Sequence, residues 1–391
     1  MELPSPADRV LRGLMRRAHG RSPLRANERA SVVFDIGRLA WSLLIDGEHL
    51  TVVPGRTGRF DAEIRADAET LAALIEGQIS GADAFLDGRL AIRGSIALAM
   101  KLEAEDEAVP RPLEFARPRW VRAGSLDTFY LEAGAGRPVV LLHGLGATNA
   151  SMLPTLAALA RDHRILAPDL PGFGESDKPI RAYDPAFFAR WLADFLDAVG
   201  VERAVLIGNS MGGRVALEMG LTVPARVDRL VLFAPSLAFK RFRAATPLVR
   251  MLAAELGAMP LFAPRSLVMT VLRGMFARPE RLRMEWYDAA VDEFVRVFSR
   301  ARGRMAFFSA ARQIYLEEAH GEAGFWERLP SLTRPALFLW GDRDPLVPPR
   351  FAPHVETALP GVRSVVIESC GHVPQYEHPE QTHALVREFL R

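Results

Sequence analysis

Residues 204–213 read Ala-Val-Leu-Ile-Gly-Asn-Ser-Met-Gly-Gly and join a strand signal to a helix signal through one tight turn. The apolar run Ala204–Ile207 is typical of a buried strand, and a helical pattern follows the turn. Such a turn tolerates only small residues two positions before and two positions after its centre, and Gly208 and Gly212 satisfy this requirement. The sequence therefore predicts that Ser210, at the centre, projects its hydroxyl above the sheet.

Strand and helix signals alternate through the second half of the chain, as in a mostly parallel α/β sheet. The predicted buried strands are Val139–Leu142, Ile165–Ala167, Ala204–Ile207, Leu230–Phe233, Ala336–Trp340 and Val365–Ile367. Helical patterns lie at 184–199 and 214–223. An insertion at about 235–328 is rich in Phe, Leu and Met, with interspersed arginines. That composition suits alkyl chains and anionic head groups, and it equally suits an ordinary cap packed on the sheet.

Three further motifs accompany the serine turn in a fixed order along the chain. The four are His143-Gly-Leu-Gly146, Gly208-Asn-Ser-Met-Gly212, Gly341-Asp-Arg-Asp344 and Gly371-His372. With them, residues 119–391 resemble the α/β-hydrolase superfamily, in its serine esterase and lipase forms. The resemblance implies an α/β-hydrolase sheet with a helical cap at about 235–328. It also implies hydrolysis through an acyl-enzyme, with no cofactor and no metal.

The resemblance assigns the nucleophile and the base of a catalytic triad. Ser210 is the nucleophile, and a serine hydroxyl needs an adjacent base because it is a poor nucleophile alone. In this fold the acid and then the histidine follow the nucleophile along the chain. His372, just beyond the predicted last strand, is the expected base. His378 and His383 lie on or beside the terminal helix and are expected to be solvated.

Two aspartates compete for the position of the acid. Asp344, three residues after Gly341 and followed by Pro-Leu-Val-Pro, matches the carboxylate that faces the histidine in the family. Asp342 is expected to cap the turn instead. Some hydrolases place the acid after the preceding strand, but here that strand is followed only by residues up to Ser236 that offer no carboxylate.

Acyl transfer at a serine also needs donors for the developing oxyanion. The expected pair is the backbone N–H of Met211 and that of Leu145. His143 resembles the histidine that braces this loop in the family rather than a proton carrier. The residues expected to shape the supporting loops are His143, Gly144, Gly146, Gly208 and Gly212.

The first half of the chain has an α+β pattern and carries no catalytic constellation. Its three motifs are Trp41-Ser-Leu-Leu-Ile-Asp-Gly47, Asp61-Ala-Glu-Ile64 and Phe85-Leu-Asp-Gly-Arg-Leu-Ala-Ile-Arg-Gly94. They make residues 31–102 resemble the sterol-carrier-type lipid-transfer fold, a five-stranded sheet with helices around an apolar tunnel. A small domain with a filled core is the alternative. Residues 1–30 are expected to be a basic segment, and the acidic, proline-punctuated stretch 103–118 a linker.

Composition excludes several classes of protein. The formal net charge of +2 and the absence of a basic block with interleaved aromatics argue against a nucleic-acid partner. The single cysteine, Cys370, excludes an internal disulfide and a cysteine-built metal site. The amino terminus has no apolar signal region, and no apolar run approaches the ~20 residues of a membrane span. A cytoplasmic protein is expected, with peripheral membrane contact left open and an oligomeric state that the residues do not reveal.

Three functions compete at this point. The first is a hydrolase of carboxylic esters, of lipids or other apolar substrates, to which the first domain holds or delivers substrate. The second is a carbon–carbon bond hydrolase or a small-ester esterase. Carbon–carbon hydrolases of this type usually carry Pro-Gly where this chain has Ala147-Thr148, which counts against them. The third is a lipid-binding or transfer protein with a non-catalytic hydrolase scaffold, and the intact triad counts against it.

Overall fold

The computed structural model describes residues 5–20, 22, 24, 28–104, 112–238, 254–322 and 324–391. Parts of the predicted basic segment (1–4, 21, 23, 25–27), linker (105–111) and insertion (239–253) lie outside the described residues. The chain divides into two compact units, residues 1–118 with 283–296, and residues 119–282 with 297–391.

The strands and helices are numbered in chain order. The strands are β1 (Arg29–Asp35), β2 (Ala40–Asp46), β3 (His49–Pro54), β4 (Ala62–Ala66), β5 (Leu90–Gly94), β6 (Arg117–Ala123), β7 (Leu126–Ala133), β8 (Arg137–Leu142), β9 (His163–Pro168), β10 (Ala204–Asn209), β11 (Val227–Phe233), β12 (Ala336–Gly341) and β13 (Arg363–Ile367). The helices are α1 (Pro6–Ala18), α2 (Ala68–Ile75), α3 (Gly81–Leu86), α4 (Ile96–Ala104), α5 (Leu153–Leu159), α6 (Pro185–Ala198), α7 (Met211–Thr222), α8 (Arg265–Arg273), α9 (Met284–Phe298), α10 (Ala301–Leu316), α11 (Phe325–Arg328), α12 (Ala352–Ala358), α13 (Pro374–Glu377) and α14 (Pro379–Leu390).

The first unit is built on a five-stranded sheet with the order β3-β2-β1-β4-β5. β1 pairs antiparallel with β2 and parallel with β4, so the long connection through β3 returns the chain to the other side of β1. The predicted Asp46-Gly47 turn joins β2 to β3, and Gly47 has a φ of 60°, which glycine adopts at little cost. Apolar side chains of β1 are buried on both faces of the sheet, because helices of this unit cover it.

Helix α1 belongs to the first unit, although the sequence pattern predicts only a basic segment over 1–30. Ser5 caps the helix by accepting a hydrogen bond from Asp8 N, and Val10 and Leu14 are buried. A Cβ added at Gly13 would lie 2.2 Å from Ile75 Cγ2, so α1 packs directly against α2. The spacing of Val10 and Leu14 is a local signal for the buried face of this helix, but the many arginines around it favoured the interpretation as a basic segment.

A helix from the predicted insertion also belongs to the first unit. Residues 283–296 contain most of α9, in which Tyr287 and Val291 are buried. Trp286 Nε1 donates a hydrogen bond of 2.9 Å to Phe85 O. The carboxylate of Asp292 accepts hydrogen bonds from Arg93 Nε at 2.6 Å and from Gly94 N at 3.1 Å. The sequence predicts that the whole insertion at 235–328 belongs to the hydrolase domain, whereas in the structure residues 283–296 belong to the first unit.

The second unit is built on an eight-stranded sheet with the order β13-β12-β11-β10-β8-β9-β7-β6. Strands β13, β12, β11, β10, β8 and β9 run parallel in succession, as the alternation of strands and helices predicts. Every residue of β10 and β12 is buried, since helices cover both faces of a parallel sheet. All six predicted strands are present. β7 pairs antiparallel with β9, and the sequence pattern does not predict either β6 or β7.

Parallel pairing places the carboxyl ends of β8, β10, β11, β12 and β13 along one edge of this sheet. Ligands of open α/β sheets bind at that edge, where the loops after the strands converge. All four sequence motifs of the second half follow these strands, so the fold brings them together. Within the described ranges, no helix combines the length and hydropathy that a bilayer crossing requires.

Candidate active site

Ser210 sits at a strained turn between β10 and α7. Its φ is 54° and its ψ is −115°, a conformation that non-glycine residues adopt only where the surroundings impose it. Two backbone bonds of 2.9 Å fix the turn, from Ser210 N to Phe233 O and from Ser236 N to Ser210 O. A Cβ added at Gly208 would lie 2.3 Å from Gly212 C, so side chains at these two positions would not fit.

His372 and Asp344 form a buried pair at the ends of β13 and β12. His372 Nδ1 donates to Asp344 Oδ2 at 2.7 Å, and their side chains are 5% and 0% exposed. The other carboxylate oxygen, Oδ1, accepts from Leu346 N at 2.7 Å and from Val347 N at 2.8 Å. Three donors thus hold the Asp344 carboxylate, which in turn fixes the orientation of the His372 ring.

Asn209, the residue before the serine, links the serine turn to the histidine loop. Its Nδ2 donates to Phe233 O at 3.0 Å and to His372 O at 3.1 Å. The sequence does not predict a role for Asn209, because the contact joins positions 163 residues apart and no local pattern reveals it. The hydroxyl of Ser210 makes no hydrogen bond within the described part of the chain.

Asp342 joins the acid loop to the histidine loop without touching the histidine ring. Its Oδ1 accepts a hydrogen bond of 3.0 Å from Cys370 N, and its own N–H donates to Ile367 O at 3.0 Å. A Cβ at Gly341 would lie 2.1 Å from Gly371 O, so the two loops are in van der Waals contact. Burial raises the pKa of the Cys370 thiol, which keeps it neutral and a poor nucleophile.

The loop after β8 lies beside the serine turn. A Cβ placed on Gly144 would be 3.5 Å from Ser210 Cβ, and Gly146 has a φ of 72°. The Met211 amide begins α7, where the first N–H groups have no partner within the helix. Neither this amide nor that of Leu145 donates a hydrogen bond inside the described ranges. The structure therefore brings the two predicted oxyanion donors to the same loop cluster as Ser210.

His143 is buried beneath that loop, and backbone groups engage both of its ring nitrogens. Leu170 N donates to His143 Nε2 at 3.0 Å, which requires Nε2 to be unprotonated. The proton therefore lies on Nδ1, which donates to Gly144 O at 2.8 Å. Burial lowers the pKa of His143 to about 4, so the ring stays neutral near pH 7. These contacts fit a bracing residue rather than a proton carrier.

A family model for the alpha/beta hydrolase fold matches residues 137–379, more than half of the chain. The chain belongs to the α/β-hydrolase family. A second model, for the SCP-2 sterol transfer family, matches residues 12–104. This α/β-hydrolase therefore carries an N-terminal sterol-transfer domain. That match begins within α1, so it includes part of the segment expected to precede the domain.

The hydrolase is similar to several known proteins over about two thirds of its length. It is 29% identical over 280 residues to an uncharacterized protein of Mycobacterium tuberculosis (strain ATCC 25618 / H37Rv), covering 66% of this chain and 76% of that one. It is 29% identical over 278 residues to 2-hydroxymuconate semialdehyde hydrolase of Pseudomonas sp. (strain CF600), covering 70% and 93%. Among solved structures, a membrane phospholipase A described as a bacterial virulence factor has a TM-score of 0.58 and 29% identity, covering 71% and 86%.

His383 of the hydrolase is buried, so the expectation that it is solvated is wrong. It is 3% exposed, and its Nε2 lies 3.1 Å from Thr155 Oγ1. Burial lowers the pKa of His383 to about 4. The helical face that carries His383 packs toward α5. The sequence does not predict this, because a polar residue on an amphipathic helix is expected to face the solvent. His378 is half-buried and bonds Ser369 O at 3.0 Å.

These two neutral histidines, His143 and His383, predict a loss of stability in mild acid. Each has a pKa of about 4 in the folded protein, whereas an ordinary histidine has a pKa of 6.5, so below pH 6.5 the unfolded chain binds more protons. The free energy of unfolding therefore decreases as the pH is lowered, by roughly 2 kcal/mol per histidine between about pH 7 and pH 5. Urea unfolding at several pH values in this range measures the free energy of unfolding. His383→Gln, which stays uncharged, should flatten the dependence, and an unchanged slope in that variant would contradict the assignment.

The cap insertion holds the histidine loop directly. His372 N donates to Met275 O at 2.7 Å, and Glu377 accepts from Gly371 N at 2.6 Å and from Arg278 N at 2.9 Å. Glu377 was not singled out from the sequence. Its position five residues after His372 is the one local signal that could have pointed to it. Within the described part of the chain, no group of His, Cys, Asp and Glu is arranged to hold a metal ion.

Proposed function

We propose that this α/β-hydrolase is a serine hydrolase of carboxylic esters that acts on lipids or other apolar substrates. The observation that carries the proposal is the convergence of three features at one sheet edge. These are the strained Ser210 turn, the buried His372–Asp344 pair, and the amides of Met211 and Leu145, which donate no hydrogen bond within the described part of the chain. Together they supply a nucleophile, a base with a fixed orientation and donors for an oxyanion.

In the proposed first half-reaction, Ser210 Oγ attacks the carbonyl carbon of the ester while His372 Nε2 takes the hydroxyl proton. The carbonyl π electrons move to oxygen, and the N–H groups of Met211 and Leu145 stabilise the resulting charge. Loss of one such donor typically lowers the rate roughly 10²–10³-fold. When the tetrahedral intermediate collapses, the bond to the alcohol oxygen breaks. The alcohol leaves with the proton that His372 held.

In the second half-reaction, water attacks the acyl-enzyme and His372 Nε2 takes a proton from it. Collapse breaks the acyl bond to Ser210 Oγ, which recovers the proton from His372, and the carboxylic acid is released. The Asp344 carboxylate accepts from His372 Nδ1 and stabilises the cationic ring that forms twice in each cycle. Because the buried carboxylate is held by two backbone amides, it does not need to reorganise as that charge appears and disappears.

The preference for apolar substrates is supported by the sterol-transfer domain and by the similarity to a membrane phospholipase A. A domain of that family gives the chain a second means of holding a poorly soluble ligand. If the domain delivers substrate, a short tether would hold it near the active site at an effective concentration in the millimolar range. Peripheral membrane contact forms part of this proposal.

Carbon–carbon bond hydrolysis is the second candidate, because the chain is 29% identical to 2-hydroxymuconate semialdehyde hydrolase. The same triad would serve that reaction, and the oxyanion loop with Ala147-Thr148 is the feature that argues against it. A lipid-transfer protein with an inactive hydrolase half is a third candidate. The strained Ser210 turn and the His372–Asp344 hydrogen bond argue against it.

A substrate panel separates these candidates. We expect kcat/KM for p-nitrophenyl esters to rise from short to long acyl chains, monoacylglycerols to be hydrolysed, and 2-hydroxymuconate semialdehyde to be left intact. Longer chains should gain because each buried methylene contributes about 0.8 kcal/mol of binding. Turnover of the semialdehyde with weak ester activity would favour the second candidate. Absence of turnover on every substrate, with binding of a fatty-acyl probe, would favour the third.

A further inference from the structure

A short segment of the cap exposes an unusual number of large apolar side chains. Phe262 is 81% exposed, and Leu267 and Val271 are 58% and 55% exposed. Leu267 and Val271 are four residues apart on α8, so they share one face of the helix. The segment's other exposed large apolar residues are Leu256, Met259 and Leu261. No residue of α8 is fully buried. Val268, Met269 and Leu272 are partly covered, whereas Leu267 and Val271 are exposed.

The same segment lacks negative charge. Residues 256–279 contain no Asp or Glu, and they carry Arg265, Arg273 and Arg278. Helix α10, which the start of this segment contacts, has no carboxylate either. Its arginines are Arg302, Arg304 and Arg312. An apolar surface whose own segment carries arginines and contains no Asp or Glu is complementary to a negatively charged lipid surface, in which acyl chains lie below anionic head groups.

The first residues of the segment pack on that helix. Arg304 is buried and donates from Nε to Gly257 O at 2.9 Å. A Cβ added at Gly257 would lie 2.5 Å from Met305 N, so the backbone at Gly257 rests directly on α10. The segment is therefore anchored at Gly257, five residues before the exposed Phe262.

We propose that residues 256–273, termed the α8 surface, dock this hydrolase onto an anionic lipid bilayer. Insertion of Phe262, Leu267 and Val271 below the head groups removes apolar area from water, and the arginines contact lipid phosphates. The α8 surface ends two residues before Met275, whose carbonyl accepts the hydrogen bond from His372 N. Docking would therefore place the lipid surface at residues that are close in sequence to Met275, the residue that contacts the histidine loop. The biological purpose of docking rests on the proposed lipid-ester function, but the binding itself does not.

The experiment measures co-sedimentation of full-length Ser210→Ala protein with vesicles, so that turnover cannot alter the lipid. The vesicles contain phosphatidylcholine alone or phosphatidylcholine mixed with phosphatidylglycerol. We expect strong binding to the mixed vesicles, weaker binding to neutral ones, and a decrease with added salt because screening weakens the arginine contacts. Adding Phe262→Ser, Leu267→Ser and Val271→Ser together should weaken binding at least about tenfold, since three apolar side chains that would insert into the bilayer are lost.

The matched control is Ile180→Ser, which removes an apolar side chain that is 68% exposed elsewhere in the same unit. It should bind vesicles like the parent. In the Ser210-containing background, the triple variant should keep its turnover of a short soluble ester, which shows that it folds. Equal binding of triple variant and parent, or no binding of the parent to either vesicle, would overturn the proposal. So would a concentration-dependent dimer in sedimentation velocity that the triple variant abolishes, because a second copy would then cover the α8 surface.

Discussion

Replacement of Ser210 by alanine is expected to lower kcat for p-nitrophenyl ester hydrolysis by about 10⁴-fold or more. The variant loses the atom that would form the acyl-enzyme, and neither the base nor the oxyanion donors can replace it. Stability should change little, because the hydroxyl makes no hydrogen bond inside the described ranges and Ser210 is only partly buried. Steady-state kinetics and thermal unfolding of the two proteins, measured on the same preparations, test both statements.

Ser236→Ala provides the matched control for that substitution. Ser236 lies next to the serine turn and its backbone N–H bonds Ser210 O at 2.9 Å. Alanine preserves this bond, so activity should stay close to that of the parent. Ser210→Ala protein that retains more than about a hundredth of the parent rate would exclude Ser210 as nucleophile, since loss of a triad serine normally costs far more.

Asp344→Asn is expected to lower kcat by roughly 10³–10⁴-fold through the orientation and charge of His372. The carboxylate accepts three hydrogen bonds, and one of them comes from His372 Nδ1 at 2.7 Å. An amide at this position would either present its NH₂ to Nδ1, which favours the wrong tautomer, or lose one of the backbone contacts. It also removes the negative charge that stabilises the imidazolium. The KM should change less than kcat.

Asp342→Asn differs from that substitution only in position and should be mild, within about a few-fold of the parent rate. Its carboxylate accepts one hydrogen bond, from Cys370 N, and an asparagine Oδ1 can accept the same bond. The pair therefore compares two neighbouring aspartates that bond different groups of the histidine loop. If Asp342→Asn abolished activity and Asp344→Asn did not, the assignment of the acid would be reversed.

Local patterns were sufficient for most of the second unit. Buried parallel strands appear as continuous apolar runs, and for this reason β8 to β13 were each predicted. The serine turn requires small residues at Gly208 and Gly212, which are only four residues apart, so this requirement could also be recognised in a short stretch of sequence. β7 was missed because it pairs antiparallel with β9 at one side of the sheet and its sequence, Leu-Asp-Thr-Phe-Tyr-Leu-Glu-Ala, mixes polar with apolar positions.

Contacts between distant positions could not be predicted in the same way. Asn209 bonds the carbonyl of His372, and Glu377 bonds Arg278 across 99 residues. Both depend on where loops meet after folding, and an asparagine or a glutamate at either place is ordinary by composition. The burial of His383 has the same origin, because only the packing of α14 against α5 decides which face is covered.

The first unit is discontinuous in the chain, and this has a consequence for how it folds during synthesis. Residues 1–118 leave the ribosome early, but the helix that buries Tyr287 and Val291 follows more than 160 positions later. Domains usually fold as units in the order of synthesis. Here the surface around Phe85 and Arg93 has to wait for residues 283–296 while the larger sheet is already forming. The first unit, as the structure has it, is therefore complete only after residue 296 has been synthesised.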